Sequence, residues 1–308
     1  MNTVGIISTV KAPILQLHLF VNYHLNVGID HIILFFDDPD DEGIDFFSKY
    51  TQVTAVRCSS DYWHKIIGKR PESIERRQTI NVNHGAELLS LKKIDWLIHI
   101  DCDELLRTSQ PIKQIIGRHK TDAIRFSLFE AVAEKETYDH IFLPSLFKKK
   151  PSKKQISMAK KLGCSNAIFE GEFLRGHMMS KSAVRISNKT KGKHGIHGPK
   201  KSHGLKLTNT DLIQLLHFDC VSIDDWKMKW DRRLDGTGLA LRMRDNRKKQ
   251  MQLYESAKME GGKALSSMFN KLHNIRRRER PILYILGMLK RIYINKKMFE
   301  NPTFEANQ

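Results

Sequence analysis

Four short apolar runs, each ending in a polar turn, limit what this chain can fold into. Residues 4–10 (VGIISTV), 29–36 (IDHIILFF), 53–58 (VTAVRC) and 96–100 (WLIHI) have strand lengths, and the first two read as strands covered on both faces. Between them the period changes. Leu17, Val21 and Leu25 fall on one helical face after an entry at Lys11 and Pro13, and Gly28 stands where a left-handed cap would end that helix. Residues 73–92 turn Val82, Ala86 and Leu89 inward. This β-α-β-α-β alternation predicts an α/β fold, a mostly parallel sheet flanked by helices.

At 308 residues, 40% hydrophobic and 28% charged, the chain has material for one large domain with an appendage. The composition places an α/β domain over 1–238 and a basic helical extension over 239–308. No apolar run approaches the roughly 20 residues of a membrane span. Residues 1–11 lack the charged-then-apolar layout of a secretory signal, so a cytoplasmic location is expected. Cys58, Cys102, Cys164 and Cys220 show no paired spacing, and reduced, mostly buried thiols are expected rather than zinc ligands or disulfides. A formal charge of +18 attracts polyanions, with 148–161 and 242–249 strongly basic and 37–42 acidic.

The chemistry is expected where the fourth run stops. Residues 94–106 read IDWLIHIDCDELL, and in an extended chain Asp101 and Asp103 point to one face. Like-charged carboxylates at a strand end repel each other, and a divalent cation that also binds phosphate oxygens relieves that repulsion. In open α/β sheets ligands bind outside the carboxyl ends of the strands. Thr9 and Lys11, Asp37 and Asp38, and Asp101, Asp103 and Glu104 leave successive strands there. Arg76, Arg77 and Gln78 open the helix before the Asp-x-Asp strand, placed to meet phosphate, or, for the two arginines, to stand in solvent beside Glu72 and Glu75.

In order along the chain, the segments FVNYHLNVGIDHIILFFDD, ERRQTINVNHG, DWLIHIDCDELL and LLHFDCVSIDDWKMKW resemble the family-2-like glycosyltransferases of GT-A fold, in particular a bacterial branch with a D-W, D-x-D-E signature. The resemblance spans about residues 4–235. It implies a metal-dependent transferase that moves a sugar from a nucleotide-diphosphate donor, most commonly a UDP-sugar, with inversion. It implies further that Asp37 or Asp38 contacts the base, that Asp101 and Asp103 bind Mn²⁺ or Mg²⁺, and that His197 lies near the donor. His217, closing DLIQLLHF, is a metal or phosphate ligand by the same resemblance and a hydrogen-bonded core histidine by its apolar setting. The donor set expected is therefore Thr9, Lys11, Asp37, Asp38, Arg77, Gln78, Asp101 and His197, with Asp101, Asp103 and His217 on the metal.

An inverting transfer needs a general base for the acceptor hydroxyl. Glu130, leaving the apolar run 123–129, and Glu172, in FEGEF, are the two candidates. Residues 170–204 are rich in Gly, His and Lys without a period and read as loops that contact the acceptor. His177, His194, His197 and His203 there lack the partners of a zinc site. Ser222 starts a helix carrying Trp226, Lys229 and Trp230. Beyond residue 239, Arg242, Arg244, Arg247, Lys248 and Lys249 precede the apolar stretch 282–294, which either packs on the domain or docks on an anionic membrane surface. The acceptor expected is a cell-surface glycan or lipid-linked acceptor, as in lipopolysaccharide or capsule synthesis. Two other readings stand beside this one: a polyanion-binding protein without transferase activity, although no nucleic-acid motif is present, and a nucleotidyltransferase, although no Gly-rich activation loop is present.

Overall fold

The computed structural model describes residues 2–200, 204–236 and 243–301. In chain order the first half holds β1 (Val4–Val10), α1 (Ile14–Val27), β2 (His31–Phe36), α2 (Gly43–Phe47), β3 (Val53–Arg57), α3 (Ser60–Ile67), α4 (Ile74–Leu91), β4 (Trp96–His99), β5 (Glu104–Thr108), α5 (Ile112–Gly117) and β6 (Ala123–Ala131). There follow β7 (Leu146–Lys149), α6 (Lys153–Lys161), β8 (Ser182–Arg185), β9 (His194–Gly195), β10 (Gly198–Pro199), β11 (Leu207–His217), α7 (Ile223–Leu234), α8 (Asp245–Glu260), α9 (Gly262–His273), α10 (Arg280–Ile285) and β12 (Leu289–Arg291). These elements gather into two compact units. The first takes Met1–Ser127, Met179–Leu215 and Asn295–Gln308; the second takes Leu128–Met178 and Leu216–Ile294. The boundary expected after residue 238 lies outside the described residues.

In the first unit the four anticipated strands lie in the order β4, β1, β2, β3, all parallel, with Gly5 opposite His31 and Leu97, and Ile32 opposite Val53. This is the α/β sheet flanked by helices that the alternation predicts. Its far side is antiparallel: β8 pairs β4 with Trp96 opposite Arg185, and the start of β6 pairs β8 with Ala123 opposite Val184. Segment 170–204, expected as loops, therefore contains a strand. Four residues are too few to declare a period, and their burial on both sides comes from β4 and β6 rather than from local sequence.

Helix α4 covers the parallel block. The Ser73 hydroxyl caps it, accepting from the Arg76 amide at 3.2 Å. Val82, Ala86 and Leu89 pack with Ile7, Ile33, Phe35, Trp63 and Leu97 in one core cluster. The approach is close enough that a Cβ on Gly85 would come within 2.7 Å of Ile7 Cδ1, and one on Gly5 within 2.6 Å of Leu89 Cδ2. Helix α1 ends at Gly28 with φ +100°, the left-handed cap its position predicts. Its buried His24 donates from Nδ1 to the Phe20 carbonyl at 2.8 Å and accepts at Nε2 from the Leu106 amide at 3.2 Å, tying α1 to β5.

In the second unit the end of β6, β7 and β12 form an antiparallel ribbon, with Glu130 opposite Lys148 and Lys290 opposite Phe147. Ser222 caps α7 as expected, accepting from the Asp225 amide at 3.1 Å. Trp226 and Trp230 of α7 pack with Tyr254 of α8 and Phe269 of α9, the Trp226 and Tyr254 rings edge to face at 4.9 Å. The basic stretch after residue 243 turns partly inward: Arg247 reaches Asp219 at 2.8 Å and Arg244 reaches Glu172 at 3.1 Å. Arg242 lies outside the described residues. Within 282–294, Leu283, Met288, Leu289 and Ile292 are buried while Ile285 and Tyr293 are exposed. Among the described residues no helix is long and apolar enough to cross a membrane.

Candidate active site

The carboxyl ends of β1, β2 and β4 are adjacent because the register makes them so: the Asp37 amide donates to Val10 O and the Ile100 amide to Ile7 O. One turn of α4 lies across them. Asn81 donates to the Thr9 hydroxyl at 3.0 Å, Arg77 Nη2 to Asp37 Oδ2 at 3.0 Å, and Gln78 Nε2 to Asp101 Oδ1 at 2.7 Å. Residues spaced i, i+1 and i+4 on a helix spread over an arc of its surface, so a single turn meets three strand ends. Thr9, Asp37, Arg77, Gln78 and Asp101, anticipated as one set, are brought together in this unit.

Arg77 resolves the choice between phosphate and solvent in a third way. It is 2% exposed, its Nε lies 2.7 Å from Asp37 Oδ1 in an ion-pair contact, and its Nη1 donates to the carbonyls of Pro71 and Glu72. The guanidinium is committed to Asp37. Arg70 adds a second, half-exposed cation 3.1 Å from Asp37 Oδ2. Lys11 reaches Asp38 at 3.3 Å, and the Asp40 amide together with Lys11 and Arg70 holds the Asp38 carboxyl below its ordinary range.

The acidic turn differs from its extended reading. β4 stops at His99, and 101–103 form a tight turn in which the Glu104 amide donates to Asp101 O at 3.0 Å and the Asp101 amide to Glu104 Oε2 at 2.8 Å. The alternation of faces therefore does not apply to Asp101 and Asp103, because the backbone hydrogen bond closes the turn within three residues. Glu104 is fully buried and braces the turn, while Asp101 and Asp103 stay partly exposed.

Sequence reasoning missed Lys181. Its ammonium, 1% exposed, sits 2.8 Å from Asp101 Oδ2 and 3.5 Å from Glu104 Oε2. Burial pulls its pKa down, but Asp101 and Glu104 outweigh burial and raise it, so the group stays charged. The nearby His99 ring donates from Nδ1 to Ile196 O at 2.9 Å, and burial together with Lys181 pushes its pKa down to about 4. His197 accepts at its carbonyl from the Ser182 hydroxyl at 3.2 Å, next to Lys181 in sequence. His203 lies outside the described residues.

The carboxylates of Asp101, Asp103 and Glu104 all act on the Lys181 ammonium at this turn. The donors that remain partly exposed are hard carboxylate oxygens, the chemistry Mg²⁺ and Mn²⁺ prefer. Asp101 and Asp103 fit such an ion; Glu104 is spent on the turn.

The remaining candidates belong to the second unit and are placed there by themselves. Glu130 is 2% exposed and its carboxylate accepts from the amides of Arg175 and Gly176 and from Lys148 Nζ at 3.2 Å. Burial would raise its pKa, yet Lys148 and the two amides hold it below the usual value. Burial in turn pushes the Lys148 ammonium down to about 8. Glu172 is more open and accepts from Arg244 and Asn246. His217 stacks on His177 with ring centroids 4.4 Å apart, and a Cβ on Gly176 would meet its ring at 2.6 Å. Asp219 is held well below the carboxylate range: Arg247, Lys229, His217 and Arg233 outweigh its burial.

None of the four cysteines is in a disulfide; Cys58, Cys164 and Cys220 are buried and Cys102 is partly exposed. Burial and the Asp37 charge push the Cys58 thiol up to about 12.

No family model matches the chain, and no curated protein matches it. Among solved structures it is similar to A197 from STIV, at 10% identity over 71% of this chain and 86% of that one, with a TM-score of 0.33. It is also similar to 4-diphosphocytidyl-2C-methyl-D-erythritol synthase, at 10% identity over 68% of this chain and 90% of that one, with a TM-score of 0.34.

Proposed function

We infer that this chain is a metal-dependent glycosyltransferase whose nucleotide-sugar donor binds at the strand ends of the first unit. The observation that carries this reading is the partly exposed Asp101-Cys102-Asp103 turn at the end of a parallel strand, beside the Asp37 and Asp38 end of the next strand but one. In this reading Asp101 and Asp103 hold Mn²⁺ or Mg²⁺, which supplies charge neutralisation for a departing diphosphate. Gln78 and Lys181 fix the Asp101 carboxylate through one oxygen each, leaving its orientation settled before a ligand arrives. Arg77 holds Asp37 rigidly, so that the strand end presents a fixed edge to a base, while the Asp40 amide, with Lys11 and Arg70, keeps Asp38 ionised.

The acceptor and the roles of His197 and His217 belong to the proposal as the family resemblance gives them, and the general base belongs to it as one of the two carboxylates read from the sequence, Glu130 or Glu172. Between the two carboxylates, Glu172 is favoured over Glu130 because three donors already saturate Glu130. A surface-glycan or lipid-linked acceptor and peripheral attachment to an anionic leaflet complete the reading; exposed Ile285 and Tyr293 support the latter.

Thermal melts with UDP, GDP, CDP and ADP, each with and without Mn²⁺, test this. One nucleoside diphosphate is expected to raise the melting temperature only with metal, and Asp103→Asn is expected to remove that gain. A flat response across the panel overturns the reading. Pyrophosphate release from a nucleoside triphosphate and a sugar phosphate would reassign the chain to nucleotidyl transfer.

A further inference from the structure

The second unit contains a cleft of about 780 Å³ that no part of the donor reading uses. Among the described residues that face it only Ile275 is an apolar type and none is aromatic, while the stems of the polar side chains supply apolar surface as well. Cations predominate, and they divide into two kinds. Arg280 is paired, its Nη1 donating to Glu134 Oε1 at 2.7 Å, and Glu134 is shared with Arg291. Lys135, Lys271, Arg276 and Arg277 are exposed and their side chains have no partner among the described residues.

Two further groups sharpen the chemistry. The Asn274 side-chain oxygen accepts from the Ile275 amide at 2.7 Å and from Arg280 Nη2 at 3.2 Å, which leaves its NH₂ as an unused donor at the cleft. Glu279 is 2% exposed; its Oε1 accepts from Asn166 Nδ2 at 3.1 Å, but Oε2 is buried with no partner. A buried carboxylate oxygen lacking a donor is a costly arrangement, and since Glu279 lines the cleft, a turn of its carboxylate toward a ligand hydroxyl would relieve it.

We propose that this cleft is a binding site for a phosphorylated saccharide, the phosphate meeting Lys135, Lys271, Arg276 and Arg277 and the hydroxyls meeting Glu279 and Asn274. Guanidinium groups pair with phosphate in bidentate fashion, and four uncompensated cations around one concavity select an oxyanion over a neutral sugar. The Glu279 carboxylate and the Asn274 amide select a hydroxylated ligand over inorganic phosphate. The absence of any aromatic lining gives a nucleobase no ring to stack on. The site stands independently of the donor assignment, since all its residues lie in the second unit.

Calorimetric titration of the full chain with glucose 6-phosphate, glucose and inorganic phosphate tests this. Glucose 6-phosphate is expected to bind at least tenfold more tightly than either fragment. The double substitution Arg276→Ala, Arg277→Ala, at exposed positions, is expected to weaken it at least tenfold with an unchanged melting temperature. Glu279→Gln is expected to narrow the gap between glucose 6-phosphate and phosphate, and Lys161→Ala, at a residue that does not line the cleft, to leave binding as it was. Inorganic phosphate binding as tightly as the sugar phosphate, no heat with glucose 6-phosphate, or full affinity in the double variant would each overturn the proposal.

Discussion

Lys181 Nζ lies 2.8 Å from Asp101 Oδ2, and the two residues are joined across 80 positions of sequence by the pairing of β8 with β4. The contact places a permanent cation under an acidic turn. Because the ammonium is buried, its removal takes from Asp101 and the fully buried Glu104 a cation that both carboxylates face. Replacing Lys181 by Met is expected to cost about 3–5 kcal/mol, the range for breaking a buried ion pair from one side. Urea denaturation measures it; an unchanged midpoint would mean that the carboxylates find other compensation.

The Asp37 and Arg77 pair should show the same one-sided penalty with a strong coupling. Asp37→Asn and Arg77→Met are each expected to destabilise the chain by about 3 kcal/mol, and the double variant by clearly less than the sum, since neither partner is then left charged alone. A double-mutant cycle in urea reads the coupling directly. Strict additivity would contradict the pairing.

Much of this arrangement is legible in the sequence, and the reason for what is not legible is physical. Strand ends and helix faces announce themselves through local periodicity, so Thr9, Asp37, Gln78 and Asp101 are placed together before any coordinates are known. Lys181 cannot be found that way. It precedes a four-residue strand inside a Gly-, His- and Lys-rich segment, and its meaning arises only from partners far away in sequence. Arg77 is visible but ambiguous, since a helix-opening arginine beside Glu75 looks the same in sequence whether it faces solvent or a buried aspartate. The extended reading of Asp101 and Asp103 fails because Glu104, read as a third acid, is the group that folds the turn back on itself.

Acid should weaken the first unit through His24. Burial pushes this histidine down to about 3, and in the fold it is neutral, donating at Nδ1 and accepting at Nε2. Its folded pKa is depressed below the ordinary value of about 6.5, so between pH 6.5 and 3 the unfolded chain binds a proton that the folded chain refuses. The stabilisation is intact above pH 6.5 and lost as pH falls, by about 2 kcal/mol from this group at pH 5. Chemical denaturation at pH 7 and pH 5 tests it. His24→Gln is expected to be less stable at pH 7 and to show a shallower decline; an equal decline would place the pH dependence elsewhere.

Gly85 sets a fourth test, where two effects oppose. Alanine in a helix interior is favoured over glycine by about 1 kcal/mol, whereas overpacking a core costs about 1–3 kcal/mol. With Ile7 Cδ1 2.7 Å and Phe35 Cε2 3.1 Å from the added carbon, overpacking is expected to win and Gly85→Ala to destabilise by about 1 kcal/mol. A stabilised variant would show that α4 lifts from β1 at little cost.

The burial of Cys58, Cys164 and Cys220 has a practical outcome. Burial keeps all three thiols protonated, raising each pKa, whereas Cys102 is partly exposed between Asp101 and Asp103. Reaction with a thiol-specific dye under native conditions will therefore fall on one position, at the centre of the acidic turn. The chain comes with its own attachment point for a fluorescent reporter, and its emission will register whatever cation or phosphate settles there without any engineered cysteine.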